Sequence, residues 1–327
     1  MRSMNIYGKR ILKSAVFFSG LILLLLIASG IFRPKDNTKE AGIEEFFANG
    51  ILSEQADTID ALIAGDSFSY TFMVPNELWK SNGYTSFEIG TNDQNLDYTM
   101  TMLRRSFRNQ NPKLIVMEPS LIFHDVSLLK QLIERLEPVL PVFHDHDRWK
   151  SLIPEDLAFW KKPEYTQHMD YKGYQYLTAI KPADDSTAHN MTPSDEAEPI
   201  PASCMAYMRR IKEYCESRNA RLVFVSAPNA LSWNYPQHNA IAALAKELGC
   251  DYMDMNLHSG ETNIDWTHDT ADHGDHLNHA GAVKATRVLA NYLESLGSLE
   301  DHRGDEKYGD WDSCLRVYER KVSKEDV

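Results

Sequence analysis

Short apolar runs that alternate with helical patterns constrain the fold of this chain more than any other feature of its sequence. Five such runs, of four to six residues each, are Ile59–Ala64, Tyr84–Ile89, Leu114–Glu118, Leu222–Ser226 and Tyr252–Met255. Helical patterns lie between or after them, at Leu96–Arg108, Val126–Leu136, Ala240–Leu248 and Ala280–Leu296. Apolar strands that alternate with helices are typical of a parallel sheet covered on both faces. We therefore predict a three-layer α/β/α fold with a mostly parallel sheet of about five strands.

The N-terminal segment is typical of a membrane anchor. Ala15–Phe32 is an uncharged run of 18 residues, preceded by Lys9, Arg10 and Lys13. A helix of this length is close to the thickness of a hydrocarbon core, and the positive-inside rule places its N-terminus in the cytoplasm. The alternative is a cleaved signal peptide with Ala28-Ser29-Gly30 as the cleavage site. Either interpretation exports the rest of the chain, and the first predicts a single-pass protein of the cell membrane.

Composition excludes several classes of protein. The chain has 34 Lys and Arg against 47 Asp and Glu, a net charge of −13, whereas a nucleic-acid protein needs a basic face. Its four cysteines form no CxxC pair and are too few for a small disulfide scaffold. Because no second apolar run reaches spanning length, a transporter is also excluded.

The first candidate catalytic residue is Ser67, in the motif Gly65-Asp66-Ser67 at the end of the first predicted strand. In open α/β sheets ligands bind beyond the carboxyl ends of the strands. A serine there, followed by a helix, lies close to backbone N–H groups that stabilise a developing negative charge. A serine that only caps the helix is the alternative.

The second candidate segment is the run from Asp269 to Asn278, which leads into a predicted helix. A serine nucleophile needs a base and a carboxylate that orients the base. We expect His276 to be the base and Asp272 the orienting carboxylate, with Asp275 as the alternative. A solvated acidic loop with surface histidines is the non-catalytic interpretation.

The same run also permits a metal hypothesis, because histidine and carboxylate ligands suit Zn²⁺. The residues concerned are His268, Asp269, Asp272, His273, Asp275, His276 and His279. A metal-dependent hydrolase therefore stays open as an alternative. The serine interpretation is preferred because it also explains the Gly65–Ser67 motif, and it predicts neither a metal nor a cofactor.

Together the two motifs resemble those of the SGNH (GDSL-type) hydrolase superfamily, over residues 56–297. The sequence from Asp272 to Asn278, with the segment His144–Trp149, is similar to membrane-anchored, exported members related to alginate-acetylation and teichoic-acid D-alanylation proteins. The resemblance implies an oxyanion hole formed by the backbone N–H groups of Ser67 and Gly90. Where the family has an asparagine after the third strand, this chain has Glu118-Pro119-Ser120, so Asn92 is considered as a substitute.

We expect Asp66, Arg148, Trp149 and Asn278 to contact the substrate, with a surface ion pair as the alternative for Arg148. The predicted segments are 1–33 (cytoplasmic tip and anchor), 34–55 (stalk), 56–297 (the SGNH-like domain, with an insertion at about 138–205) and 298–327 (a charged tail).

The predicted function is that of an exported serine esterase or O-acyltransferase. Its substrate would be acyl groups of cell-envelope polysaccharide, and its partner a multispanning membrane O-acyltransferase. The alternative outside catalysis is a glycan-binding module on the same fold, with an aromatic surface formed by Trp149, Trp160, Tyr165, Tyr171 and Tyr174. The sequence leaves the acyl group, the acceptor, the disulfide pairing and the oligomeric state open.

Overall fold

The structure, a computed structural model, describes residues 6–43, 45–184 and 191–325. These residues form two compact units. Unit 1 comprises the described residues up to Phe46 together with Leu128–Gln167, and unit 2 comprises Phe47–Ser127 together with the described residues from His168 onward.

Unit 2 contains a five-stranded sheet in the order β2-β1-β3-β4-β5, and every pair of neighbouring strands is parallel. The strands are β1 (Ala61–Ala64), β2 (Ser86–Glu88), β3 (Leu114–Met117), β4 (Arg221–Ser226) and β5 (Asp251–Asp254). The predicted α/β fold with a parallel sheet of about five strands is confirmed. The strand order reverses between β1 and β3, so their carboxyl ends form the topological switch point, where ligands bind in folds of this kind.

Both faces of the sheet are buried, as the continuous apolar character of the strands requires. In β1, Ala61 and Ile63 belong to a core on one face, which the helices Pro75–Asn82 and His279–Leu296 complete, while Leu62 and Ala64 are equally buried on the other. Sheet and helices therefore hold the ends of β1 and β3 rigidly. The α-helices of the whole chain are α1 (Ile6–Phe32), α2 (Phe46–Asn49), α3 (Ser69–Phe72), α4 (Pro75–Asn82), α5 (Leu96–Ser106), α6 (Leu128–Leu136), α7 (Val142–Asp145), α8 (Ala202–Ser217), α9 (Tyr235–Leu248), α10 (Ser259–Thr262), α11 (His279–Leu296) and α12 (Gly309–Glu325).

Unit 1 contains α1, which has 27 residues and a mean hydropathy of 2.6 over its most apolar 18-residue window. By length and composition α1 is able to cross a membrane, and signal sequences have the same properties. The rest of the unit is formed by α6, α7 and two short 3₁₀ helices, His146–Lys150 and Pro154–Leu157. All four cysteines of the chain are free thiols and lie in unit 2.

The C-terminal helix α12 packs into unit 2 through an aromatic face. Trp311 lies 5.6 Å from Trp79 of α4, measured between ring centroids, and the Tyr318 hydroxyl donates a hydrogen bond to Glu77 at 2.8 Å. Both Trp311 and Tyr318 are buried. The predicted charged tail thus contributes apolar side chains to the core of the unit.

Candidate active site

Ser67 lies in a tight loop that joins β1 to α3. The carboxylate of Asp66 shapes this loop, because its Oδ1 accepts a hydrogen bond from the Phe68 N–H at 3.0 Å. The Asp66 carbonyl accepts two more, from the Ser69 N–H at 3.1 Å and from the Ser69 hydroxyl at 2.9 Å. The loop therefore holds the half-buried Ser67 at the carboxyl end of β1, at the switch point of the sheet.

The structure brings Ser67, His276 and Asp272 together. His276 Nε2 lies 2.8 Å from Ser67 Oγ, and His276 Nδ1 lies 2.6 Å from Asp272 Oδ2. The imidazole stacks on the Phe68 ring, with 4.9 Å between the ring centroids and 24° between the planes. This is the hydrogen-bonded order of nucleophile, base and orienting carboxylate that acyl transfer requires.

The loop that carries His276 closes on itself through backbone bonds. Thr270 and Leu277 form an isolated antiparallel bridge, and the Ala271 N–H donates to the His276 carbonyl at 2.9 Å. Gly274 turns the chain with a φ of +100°, a conformation that favours glycine. Asp272 Oδ1 also accepts a hydrogen bond from the backbone N–H of His276 at 2.6 Å. This bond closes the three residues between Asp272 and His276 into one turn.

Asp275, the alternative orienting residue, bonds to a different loop. Its Oδ2 is 3.8 Å from His276 Nδ1, whereas its Oδ1 accepts hydrogen bonds from the Ser232 hydroxyl at 2.5 Å and from Asn229 Nδ2 at 3.2 Å. Asp272 therefore makes the closer contact with the His276 imidazole, and its role as the orienting carboxylate stays a prediction. Asn229 was not foreseen from the sequence, although it follows β4 at the edge of the sheet where ligands bind.

Gly90 packs directly against the serine loop. A Cβ atom at this position would lie 2.0 Å from Ser69 Oγ and 3.1 Å from the Asp66 carbonyl oxygen, so only glycine allows this approach. The position is consistent with an oxyanion donor at Gly90, which stays a prediction. Asn92 is exposed, and its amide donates to Asp93 Oδ2 at 3.0 Å.

Two buried carboxyl groups lie behind the serine loop and share one hydroxyl. Ser120 Oγ is 3.0 Å from Asp66 Oδ2 and is also hydrogen-bonded to Glu118 Oε2. Burial raises the pKa of Asp66. Burial, together with the nearby charge of Asp66, raises the pKa of Glu118 to about 8. Because two carboxylates this close disfavour each other's ionisation, the pair retains a proton at neutral pH.

A small cleft opens beside the serine loop. It is lined by Phe68, Glu118, Ser120, Ala227, Asn229, Ser232 and Trp233. Trp233 is fixed by its indole N–H, which donates to Asp254 Oδ2 at 3.0 Å. The cleft combines an aromatic wall with two hydroxyl groups, which suits a small polar substrate.

The structure gives the polar groups of three predicted substrate contacts partners within the protein. The Arg148 guanidinium is buried in unit 1, where it donates to the Phe32 and Ala41 carbonyls at 2.6 and 2.7 Å and to the Asp156 carboxylate at 3.0 Å. Asn278 is the N-cap of α11: its Oδ1 accepts the Gly281 N–H at 3.2 Å, and its amide donates to the His268 carbonyl at 2.6 Å.

In Asp66, too, both carboxylate oxygens have partners within the protein, the Phe68 N–H and the Ser120 hydroxyl. Contact of these three side chains with a substrate stays a prediction. Trp149 is exposed in unit 1, and its contact with substrate stays a prediction.

The histidines between residues 268 and 279 point in different directions. His268 Nδ1 lies 3.0 Å from Asp265, His273 Nδ1 lies 3.0 Å from the Pro182 carbonyl, and His279 Nδ1 lies 3.2 Å from the Tyr174 hydroxyl. The donor atoms of Asp272, Asp275 and His276 do lie within 4.8 Å of one another, a spacing that suits a cation. Of the seven residues of the metal hypothesis, these three form the group whose donor atoms lie close enough together to share a cation.

No protein-family model matches this chain, and no curated protein matches its sequence. Similar solved structures include a GDSL-like lipase from Bacteroides thetaiotaomicron, with 12% identity, a TM-score of 0.38 and coverage of 76% of this chain and 99% of that one. An acetyl xylan esterase has 14% identity and a TM-score of 0.35, and the match covers 72% of this chain and 98% of that one.

A two-domain esterase active on acetylated mannans has 10% identity and a TM-score of 0.37, and the match covers 79% of this chain and 54% of that one. The neighbours are thus GDSL-like lipases and esterases. Likeness at this level does not determine the activity of this chain.

Proposed function

We propose that this chain is an exported serine esterase or O-acyltransferase that acts through Ser67, His276 and Asp272. The observation that carries the proposal is the continuous hydrogen-bonded line from Ser67 Oγ through both imidazole nitrogens to Asp272. Ser67 and His276 are 209 positions apart in the sequence, so their meeting at the carboxyl edge of the sheet is a property of the fold.

In the proposed reaction His276 Nε2 takes the Ser67 proton while Oγ attacks the acyl carbonyl. The tetrahedral oxyanion is held by the backbone N–H groups of Ser67 and Gly90. His276 then returns the proton to the leaving alcohol, and an acyl-serine is formed. Water or a sugar hydroxyl, deprotonated by the same imidazole, attacks this acyl-serine; the bond to Ser67 Oγ breaks, His276 returns the proton to Oγ, and an acid or a new ester is released. Asp272 holds the required tautomer and stabilises the imidazolium.

The lining of the cleft favours a short acyl group. Phe68 and Trp233 provide an apolar wall beside the serine loop, whereas a long lipid chain needs a long apolar groove. The sequence resemblance to envelope-acylation proteins favours a polysaccharide as the alcohol, and a multispanning acyltransferase as the donor of the acyl group.

Export on an uncleaved anchor is supported by the last turn of α1. Ser29 is buried in unit 1 and accepts a hydrogen bond from the Val142 N–H at 3.4 Å. A Cβ on Gly30 would lie 2.6 Å from the Phe159 carbonyl oxygen, so the helix is closely packed at this point. Cleavage at Ala28-Ser29-Gly30 would remove residues that unit 1 uses for packing.

The test of the proposed chemistry is hydrolysis of a short-chain acyl ester by full-length protein, combined with labelling by a serine-directed fluorophosphonate. Ser67→Ala should abolish both hydrolysis and labelling, and His276→Ala should prevent labelling because the hydroxyl is no longer activated. Labelling that persists in His276→Ala would exclude His276 as the base.

The metal alternative predicts a different response. A hydrolase that uses a cation at Asp272, Asp275 and His276 loses activity on chelation and regains it with added Zn²⁺. The serine mechanism predicts that activity and labelling both survive the chelator.

A further inference from the structure

We propose that residues 128–160 of unit 1 form a lipid-contacting surface that lies in the headgroup region of the bilayer, beside the end of α1. This inference rests on the anchor part of the proposed function. The surface comprises the exposed apolar side chains of α6 and of the segment after it, and it is called the lipid-contact surface below.

Exposed apolar side chains are concentrated in this segment. Outside α1, fourteen large hydrophobic side chains of the described residues are exposed, and ten of them lie between residues 128 and 160. They are Leu128, Leu129, Leu132, Val139, Trp149, Leu152, Ile153, Leu157, Phe159 and Trp160. Apolar exposure at this density marks an interaction site, because isolated soluble proteins rarely leave such patches in water.

The orientation of α6 is reversed relative to that of a helix on a soluble protein. Leu128, Leu129 and Leu132 are 83%, 67% and 53% exposed, whereas Glu134 is only 3% exposed. At about 100° per residue the three leucines span about 100° of the helix surface, and Glu134 lies on the opposite side. A helix that faces water turns its apolar side inward. The opposite arrangement is favourable when the outer face contacts lipid.

The lipid-contact surface is continuous with the end of the proposed anchor. The Arg148 guanidinium donates to the carbonyl of Phe32, the last residue of α1, at 2.6 Å, and Phe159 packs on Gly30. The segment from residue 142 to 160 therefore lies level with the point where α1 leaves the hydrocarbon core. Because the anchor brings this segment to the bilayer in any case, lipid is the occupant that the structure favours.

The aromatic and basic residues of the segment are also of the types that are typical of the membrane–water interface. Trp149 and Trp160 are 63% and 74% exposed, and tryptophan is enriched at the membrane–water interface. Each is followed by lysine: Lys150 Nζ lies 5.7 Å from the centroid of the Trp149 ring, and Lys161 follows Trp160. A lysine beside an interfacial tryptophan is able to reach the lipid phosphates while its stem stays in the apolar region.

The test uses full-length protein in protein-free phosphatidylglycerol and phosphatidylcholine vesicles, in which the lipids are brominated near the headgroup or near the chain end. Two of the six tryptophans belong to the lipid-contact surface, and the other four lie in unit 2. Headgroup-proximal bromine should quench a part of the tryptophan emission. This quenched part should be lost in Trp149→Phe/Trp160→Phe and kept in Trp266→Phe, which removes the most exposed tryptophan of unit 2.

Flotation of the same vesicles tests the membrane anchor separately from the lipid-contact surface. If the protein floats with the vesicles and shows no quenching that depends on Trp149 and Trp160, the anchor stands and the lipid-contact surface is excluded. A protein partner, such as a multispanning acyltransferase, would then be the occupant. If the protein does not float, the anchor fails and the inference fails with it. Flotation together with the selective loss of quenching supports the lipid-contact surface.

Discussion

Asp272 fixes His276 at two points. One carboxylate oxygen accepts the backbone N–H at 2.6 Å and the other binds Nδ1 at 2.6 Å, so both the position and the rotation of the imidazole are set by one side chain. The Phe68 ring restricts the same imidazole from its face. Nε2 is therefore directed to Ser67, and in the proposed reaction this preorganisation would lower the entropic part of the barrier.

We expect Asp272→Asn to lower kcat by a factor on the order of 10⁴, because an amide does not stabilise the imidazolium and favours the wrong tautomer. Steady-state hydrolysis of a short-chain ester measures the effect. Asp275→Asn is the matched control: it keeps a polar side chain facing Asn229 and should cost much less activity. Equal losses in the two variants would contradict the assignment of Asp272.

Glu118 makes the stability of the protein depend on pH. Its carboxyl is buried, and its pKa is raised from 4.5 to about 8 in the folded protein, so between these pH values the folded state binds more protons than the unfolded state. Stability therefore falls as the pH rises through this window, and the contribution is constant below it, where both states are protonated.

Glu118→Gln should remove this dependence, because an amide has no proton to lose. The free energy of unfolding of the wild type, measured with denaturant at several pH values, should fall between pH 5 and 8 more steeply than that of the variant. The largest difference in slope for one proton is about 1.4 kcal/mol per pH unit. The exposed Glu294→Gln serves as the control, and the same slope in all three proteins would show that Glu118 is ionised in the folded state.

At the scale of the element, the loop from Thr270 to Leu277 depends on one glycine. Gly274 has a φ of +100°, and a Cβ there would also lie 3.1 Å from the Cβ atoms of Ala183 and Ala230. Gly297 at the end of α11 has a φ of +62° with open space around it. Alanine at Gly297 would therefore introduce backbone strain alone, whereas alanine at Gly274 would introduce strain and also displace the loop.

Gly274→Ala should therefore lower both stability and activity, whereas Gly297→Ala should lower stability alone. Each strained alanine costs about 1–3 kcal/mol of unfolding free energy. Movement of His276 away from Ser67 in Gly274→Ala should reduce kcat/KM by about 10- to 100-fold. Ester hydrolysis measured beside denaturant unfolding checks this, and unchanged kcat/KM in Gly274→Ala would mean that the loop does not set the geometry.

The strands and the candidate site residues could be identified in the sequence because each belongs to a local motif, whereas the 209 positions between Ser67 and His276 are bridged only by the fold. An apolar run such as Leu114–Glu118 specifies a buried strand, and Gly65-Asp66-Ser67 follows such a run directly. Roles that depend on distant partners were not predictable. Arg148 looks like a ligand for an anion in the sequence, yet it binds Asp156 and two backbone carbonyls that hydrophobic periodicity does not reveal.

Across unit 2, three segments that read as peripheral in the sequence meet at one buried lysine. Lys172, from the predicted insertion, binds Glu54 of the predicted stalk at 2.8 Å and Asp310 of the predicted tail at 3.0 Å. Its Nζ also lies 4.9 Å from the centroid of the Trp311 ring. Because Glu54 is buried, its pKa is raised, and the charge of Lys172 opposes this shift. One ammonium group thus compensates carboxylates from two separate parts of the chain.

Lys172→Met should destabilise unit 2 by about 3–5 kcal/mol, because it leaves the Glu54 carboxylate buried without its cation. The matched variant is Lys113→Met, whose ammonium pairs with Asp60 and Glu300 on a side chain that is 41% exposed. Its loss should cost no more than about 1 kcal/mol. Denaturant unfolding gives both free energies. The rate at which a maleimide modifies the buried Cys314 of α12 shows whether the C-terminal helix loosens. If Cys314 is no more reactive in Lys172→Met than in Lys113→Met, the lysine does not hold the C-terminal helix in place.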